Sequence, residues 1–180
     1  MELFTVGHSS HPVDAFAALL RGAGVTQIAD VRRWPRSRRH PHFDDDALAV
    51  ELASHGIAYE HVVELGGHRQ RAPGSGNDGW DVEAFNGYAD HLASEEFARG
   101  IAKVMALAGA RPTAVMCAEG DWRRCHRRLL ADVLVLRGTA SVRHLGTDGT
   151  VQPHAITEFG VFAADAGLPR YPAQQLGLGF

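Results

Sequence analysis

The densest chemistry in this 180-residue chain lies in Pro112–Arg128, PTAVMCAEGDWRRCHRR. The stretch holds both cysteines, Cys117 and Cys125, with two acids, a tryptophan, a histidine and four arginines. A thiolate is a far better nucleophile than a thiol, and arginine or a helix N-terminus stabilises it. Cys117 is therefore the candidate nucleophile or redox thiol, with Cys125 as a second thiol. His126 is the candidate proton acceptor, since an adjacent base activates a thiol. Arg123 and Arg127 are candidate anion holders. Cys117 and Arg123 have the Cys-x5-Arg spacing of enzymes that cradle an oxyanion in the intervening loop. Here Glu119 and Asp121 occupy that loop, where they repel phosphate and raise the thiol pKa. A buried structural thiol and a basic, solvated helix face are the competing readings.

A second cluster follows Asp30. Arg32, Arg33, Trp34, Arg36, Arg38 and Arg39 place five arginines and a tryptophan in eight positions. Arginine forks and an indole plane suit a phosphate with a stacked base. A solvated loop with Trp34 tucked against the core is the plainer alternative. Asp30 is a candidate acid, base or arginine-orienting carboxylate. Glu119 is a further candidate proton carrier beside Cys117. His8 and Ser9 form a turn after the first apolar run, with His8 an alternative proton carrier and Ser9 a substrate-binding candidate.

Metal ligation is a separate possibility. Cys117, Glu119, Cys125 and His126 could be joined by His8 and His11 only through the fold. Seven residues separate the cysteines, outside the Cys-x2–4-Cys spacing of structural zinc sites. No second knuckle exists, and the His40-x-His42 pair adds only a little to the metal reading. No metal ligand set is therefore assigned, and the sequence names no cofactor. There is neither a P-loop nor a Gly-x-Gly-x-x-Gly dinucleotide fingerprint.

Positioning these groups requires alternating strands and helices. Strands are predicted at Leu3–Gly7, Val25–Val31, Ile57–Val63, Thr113–Cys117 and Ala140–Leu145. Helices are predicted after Pro12, after Asp44–Asp46, over Val82–Leu92 and Glu95–Leu107 with Ser94 as cap, from the turn after Cys117 to about Arg137, and over Ile156–Ala166. Residues 64–81 form a long Gly-rich loop, a candidate mobile lid. Residues 167–180 read as an irregular tail. The expected fold is a single α/β domain over 1–180, Rossmann-like and three-layered, with a mostly parallel sheet of about five strands. Ligands bind such sheets beyond the C-terminal strand ends, where His8, Arg32 and Cys117 all fall.

Composition narrows the function classes. The chain is 45% hydrophobic and carries a formal net charge of -3, which suits a packed domain and opposes a bulk nucleic-acid coat. Lys103 is the only lysine. The N-terminus lacks a signal-peptide pattern and no apolar run reaches membrane-spanning length, so no membrane association and a cytoplasmic location are expected.

Several segments together resemble the DUF488 family, small bacterial and archaeal proteins of unknown function. They are Thr5-Val6-Gly7-His8-Ser9, Asp30-Val31-Arg32 with Pro35 and Ser37, Leu65-Gly66-Gly67, Met116-Cys117-Ala118-Glu119, Cys125-His126-Arg127, and Val142–Leu145 with His144. They span roughly residues 3–146, so the tail beyond Ile156 lies outside the likeness. The resemblance implies a Rossmann-like α/β domain in which these residues cluster, and carries no reaction. Family members commonly have a proline between the two cysteines, where this chain has none. The leading expectation is an enzyme acting on an anionic, nucleotide-like small substrate. The alternatives are a non-catalytic module binding a nucleotide or nucleic acid, and a metal-dependent enzyme with Cys, His and Glu ligands. Nucleic acid is disfavoured because the positive charge is local and Asp44–Asp46 follow it.

Overall fold

The structure is a computed structural model and describes residues 1–162 and 167–174. The elements in chain order are β1 (Glu2–Gly7), α1 (Val13–Gly22), β2 (Gln27–Asp30), α2 (Asp45–Ser54), β3 (Ala58–His61), α3 (Glu83–His91), α4 (Glu95–Ala110), β4 (Thr113–Cys117), α5 (Arg127–Leu136), β5 (Ser141–Leu145), β6 (Val151–Pro153), β7 (Val161–Phe162) and β8 (Pro169–Arg170). The main sheet has the order β3-β2-β4-β1-β5-β6. Its first five strands run parallel, and β6 closes one edge antiparallel to β5.

A mostly parallel sheet needs cover on both faces, and alternation along each strand supplies two apolar surfaces. Leu3 of β1 packs with Tyr88, Phe97, Val104, Leu129 and Leu130 from α3, α4 and α5. Its neighbour Phe4, with Val6, packs against Phe16, Leu20, Leu48 and Leu52 from α1 and α2. Each fully buried leucine of this kind contributes about 1.5–3 kcal/mol. Local signals agree with the layering. The Ser94 hydroxyl accepts the Phe97 N–H at 3.0 Å and caps α4. Asp14 lies in the first turn of α1, and Asp45 and Asp46 in that of α2, where exposed N–H groups favour acids.

Strand order does the positioning. The chain passes from β1 to β2 and later inserts β4 between them. The register then pairs Gly7 with Cys117 and Asp30 with Met116. Three remote strand ends meet at one sheet edge, so His8, Arg32 and Cys117 become neighbours. Gly7 is required there, since a Cβ would stand 2.0 Å from the Glu119 carbonyl oxygen.

The structure departs from the sequence expectations in several places. The sheet has six strands, because the three-residue β6 pairs with β5 at an edge that tolerates Pro153. No helix follows Cys117 directly. The Asp121 carboxylate accepts the Arg123 N–H at 3.0 Å and stabilises a 3-10 turn at Trp122–Arg124 instead. The helix begins only at Arg127, so Cys117 is not at a helix N-terminus. The helix expected over Ile156–Ala166 is absent from residues 156–162, which hold a turn and β7. Asp132 takes the Thr157 N–H at 3.0 Å and Gly160 follows, so no helical ladder starts there. β7 pairs with β8, and the rest of that expected helix, 163–166, lies outside the described residues.

The expected tail is described only through residue 174, and its Tyr171 is fully buried with its hydroxyl donating to Asp132 at 2.6 Å. The Gly-rich segment 64–81 is tied down by several contacts. Arg69 pairs with Glu96 at 2.7 Å, and Asp90 accepts from Ala72 N–H, the Ser75 hydroxyl and the Asn77 amide.

Candidate functional site

Cys117 ends β4 with the same facing as Val115, toward α3–α5. The 3-10 turn carries the chain back so that Cys125 returns beside it. The sulfurs of Cys117 and Cys125 and a ring nitrogen of His126 lie within 4.8 Å of one another, and both cysteines are free thiols. His126 Nε2 stands 3.2 Å from the Val31 carbonyl. A carbonyl only accepts, so that contact places a proton on Nε2 and leaves Nδ1 facing the Cys125 sulfur at 3.7 Å. The ring is tilted against Tyr88 at 4.9 Å, and Gly67 covers it: a Cβ there would stand 2.8 Å from Nδ1.

Arg127 completes the cluster. It is 1% exposed, and its Nε donates to the Cys125 sulfur at 3.3 Å while Nη2 donates to the Glu119 carbonyl. Among the described residues no carboxylate pairs with it. A guanidinium cannot shed its proton inside a protein, so the partners left to offset its charge are the Cys125 sulfur and the Glu119 carbonyl. Burial pushes the Cys125 thiol up, but the hydrogen bond with Cys117, the Arg127 charge and His126 together hold it well below the ordinary thiol range. Cys117 moves the other way, held up by its hydrogen bond to Cys125 and then by burial. The two shifts have opposite directions, which favours Cys125 as the thiolate and Cys117 as the thiol of the coupled pair.

The arginine at the neighbouring strand end is arranged differently. Asp30 is fully buried and accepts from Arg32 Nε at 2.9 Å, from Arg32 Nη2 at 2.5 Å and from the Tyr59 hydroxyl at 2.7 Å. Its oxygens are engaged, so it acts here as an arginine-orienting carboxylate. Arg32 Nη1 donates to the Phe43 carbonyl at 2.8 Å and approaches His8 Nε2 at 3.5 Å. His8 stacks on Phe43 at 4.0 Å. Burial, then the Arg32 charge, lowers its pKa to about 4, so the ring is neutral.

Two cavities open on either side of Ala118 and Glu119. The first, about 660 Å³, is lined by Cys117, Cys125 and His126 together with Gly67, His68, Trp80, Phe85, Arg123, Arg124 and Arg128. The second, about 570 Å³, is lined by His8, Ser9, Arg32, Trp34, Arg36, Ser37, Arg39 and His40. Both volumes suit small-molecule ligands. The sequence candidates are thus divided between adjoining cavities. Cys117, Cys125, His126 and Arg123 line one. His8, Ser9, Arg32, Trp34 and Arg36 line the other, with the exposed Glu119 on both.

Arg123 does not cradle Cys117. It lies over Trp122 and donates to Gln152 at 3.0 Å. The loop after Cys117 also gives up two carbonyls, Ala118 to the Ser9 N–H and Glu119 to Arg127, in place of a ring of N–H donors. Arg36 is held by Asp44, Asp45 and Asp46. Trp34, expected against the core in the plainer reading, is 66% exposed.

A buried polar chain supports the thiol turn; Thr5 and His144 fall in segments of the family likeness, but no spacing or motif marks Trp122, His154 or Asp132 as their partners. Trp122 stacks on His144 at 3.9 Å. His144 contacts the Thr5 hydroxyl at 2.6 Å and His154 at 2.9 Å, and His154 reaches Asp132 at 2.8 Å. These contacts fix Trp122 three residues before Cys125. Arg127 is legible in the sequence as an anion holder, but its burial is not. The one signal for that burial is the Cys-His-Arg triplet at the head of an apolar helix.

Comparison with curated proteins and with solved structures finds no match. Comparison with protein families finds one, described as a domain of unknown function, DUF488, over residues 12–134. That stretch runs from the start of α1 to within α5 and contains both cysteines, His126, Arg127, Asp30 and Arg32. The chain belongs to the DUF488 family.

Proposed function

We propose that this protein is an enzyme that uses the Cys117–Cys125 pair as a thiol nucleophile on a small anionic substrate. The carrying observation is Arg127, buried without a carboxylate partner among the described residues and 3.3 Å from the Cys125 sulfur. An arginine so placed favours the thiolate at neutral pH. Cys125, in place of the Cys117 that the sequence suggests, attacks the electrophilic atom of the substrate, forming a bond from sulfur to that atom; the opposite pKa directions of the two thiols support the exchange. The leaving group departs with the proton from Cys117. Water then cleaves the adduct and returns a proton to the thiol pair, with His126 Nδ1 as the intermediate acceptor. Arg123, Arg124 and Arg128 line the same cavity and attract a negative substrate. His8 and Glu119 serve the adjoining cavity and the shared wall.

Helices on both faces and ligand-sized cavities at the C-terminal strand ends support a Rossmann-like reading of the domain. A working dithiol fits the reducing cytoplasm. No helix among the described residues is long and apolar enough to cross a membrane.

The test is the pH dependence of alkylation, resolved by peptide mapping. Cys125 is expected to react with a midpoint well below the free-thiol value of about 8.5. If neither thiol reacts below that value, the nucleophile assignment is lost.

One observation favours a second reading, a metal-dependent enzyme. Two sulfurs and an imidazole nitrogen lie within 4.8 Å, with that histidine's other nitrogen anchored on a carbonyl. Soft thiophilic ions such as Zn²⁺ use this donor set with an outer-shell partner of this kind. Stoichiometric Zn²⁺ retained through dialysis, with both thiols protected from alkylation, would select it.

A further inference from the structure

We infer that the surface joining the two cavities binds a mononucleotide-type ligand, its planar ring on Trp34 and its phosphate on the flanking arginines; this identifies the anionic substrate class of the proposed thiol enzyme and rests on that reading.

Trp34 is 66% exposed, whereas Trp80 and Trp122 are 8% and 6% exposed. A large indole left in water beside a cavity is a ready stacking platform, because every base has a π face. Trp34 lines the 570 Å³ cavity together with Arg39, and also a depression shared with Arg33 and His68. Neither Arg33 nor Arg39 has an ion pair among the described residues. Arg36 and Arg32, by contrast, are already committed to aspartates. The free charges therefore flank the indole, the arrangement that a ring carrying a phosphate requires.

Backbone strain marks the same surface. Ser9 and His68 are the non-glycine residues with positive φ among the described residues, at 50° and 57°. Such conformations persist where the surroundings enforce them, and they gather at ligand sites. Ser9 lines the arginine cavity, and its N–H is held by the Ala118 carbonyl. His68 lines the thiol cavity and leans on the Trp34 indole at 5.4 Å. The ring–phosphate platform thus borders both cavities, and their shared wall begins one residue after Cys117.

The experiment is a titration of the full chain with AMP, adenosine and ribose 5-phosphate, read by tryptophan fluorescence. Trp34 is the tryptophan accessible to a soluble quencher, so its signal is separable. AMP is expected to quench saturably and to slow alkylation of Cys125. Adenosine and ribose 5-phosphate are each expected to bind about tenfold or more weakly, since stacking alone is worth about 1–3 kcal/mol per base. Trp34→Leu and Arg39→Gln, followed by equilibrium dialysis, should each weaken AMP by about tenfold. Absence of saturable quenching overturns the nucleotide inference. Saturable AMP binding without protection of Cys125 overturns its link to the thiol chemistry. A single-stranded oligonucleotide binding far more tightly than AMP, with steep salt dependence, would reassign the surface to nucleic acid. The alkylation profile without ligand reads the thiol proposal separately, so failure of one is distinguishable from failure of the other.

Discussion

The loop after β2 and the first residue of α5 each bury an arginine, and the two are neutralised in opposite ways. Arg32 is 5% exposed and is locked by Asp30 through Nε and Nη2. Arg127 is 1% exposed and meets a sulfur and a backbone carbonyl. Arg32 Nε and Nη2 both donate to Asp30, so the Asp30–Arg32 pair is a structural charge pair fixed by its geometry. A thiol is ionised only if its surroundings insist. Under the proposed thiol chemistry the Cys125–Arg127 pair couples packing to reactivity, which the other pair cannot do. On that proposal, similar burial of one residue type serves architecture in one place and chemistry in the other.

That contrast predicts an asymmetry within the thiol pair. Arg127 cannot neutralise itself, so Cys125→Ala should strand a buried cation and cost about 3–5 kcal/mol in a denaturant titration. Arg127→Met should cost less, because Cys125 can simply take a proton. Its effect should fall on reactivity: an opposite charge at this range shifts a pKa by about 1–3 units, so alkylation at neutral pH should slow by about tenfold or more. The Asp30–Arg32 pair should lack the asymmetry, with Asp30→Asn and Arg32→Met both costing about 3–5 kcal/mol. Should Cys125→Ala prove neutral, the thiolate assignment fails.

Stability should also track pH differently around the two pairs. The folded Cys125 value lies below the ordinary one, so in that window the unfolded chain binds the extra proton. Stability therefore rises with pH up to about 8.5. Above that, Cys117 reverses the slope, because its raised value makes its contribution fade as pH climbs through it. On the acid side, burial and then the Arg32 charge lower His8 to about 4, and burial and then His154 lower His144 to about 3. Both rings are neutral in the fold, so their contribution is complete above 6.5 and is lost as pH falls toward those values. Denaturation midpoints across pH should show the alkaline slope in the wild type and lose it in Cys125→Ala. His8→Gln should flatten part of the acid limb. Superimposable alkaline slopes would break the comparison.

A subtler perturbation is Gly67→Ala, whose Cβ would stand 2.8 Å from His126 Nδ1. The ring must yield by a few tenths of an ångström, which loosens its approach to Cys125. Overpacking of this kind costs about 1–3 kcal/mol. Alkylation of Cys125 should slow, while Asp30 and Arg32 stay in place. An unchanged alkylation rate would remove His126 Nδ1 from the thiol's environment.

Much of this layout is legible in the amino-acid sequence. Alternating apolar runs, Ser94 as a cap and the acids in the first turns of α1 and α2 mark the layered α/β order. The chemistry-bearing residues fall at strand ends for the same reason. Which strand ends touch is not legible there. Insertion of β4 between β1 and β2 is a long-range fact, and it alone makes Gly7 a neighbour of Glu119. The inward turn of Cys125, His126 and Arg127 is equally hidden. Treated as helical, they cannot share one face, but Cys125 is extended at φ -128° and the helix begins only at Arg127. The unexpected β6 and the lack of helix over residues 156–162 share a cause. Short edge pairing and the side-chain ties to Asp132 outweigh weak local preference.

The smallest effect should come from the arginine that looks most conspicuous in the sequence run. Arg36 sits among Asp44, Asp45 and Asp46 at 3.3–3.8 Å, but its side chain is 63% exposed. Water screens such pairs, and ordering long side chains opposes much of the Coulomb gain. Arg36→Ala should therefore shift the melting temperature by no more than about 4 °C. It should also leave Cys125 alkylation unchanged, because Arg36 lines the arginine cavity and not the thiol cavity. A loss as large as that of Asp30→Asn would mean that the loop's ion pairs, and not the two buried arginines, hold this sheet edge together.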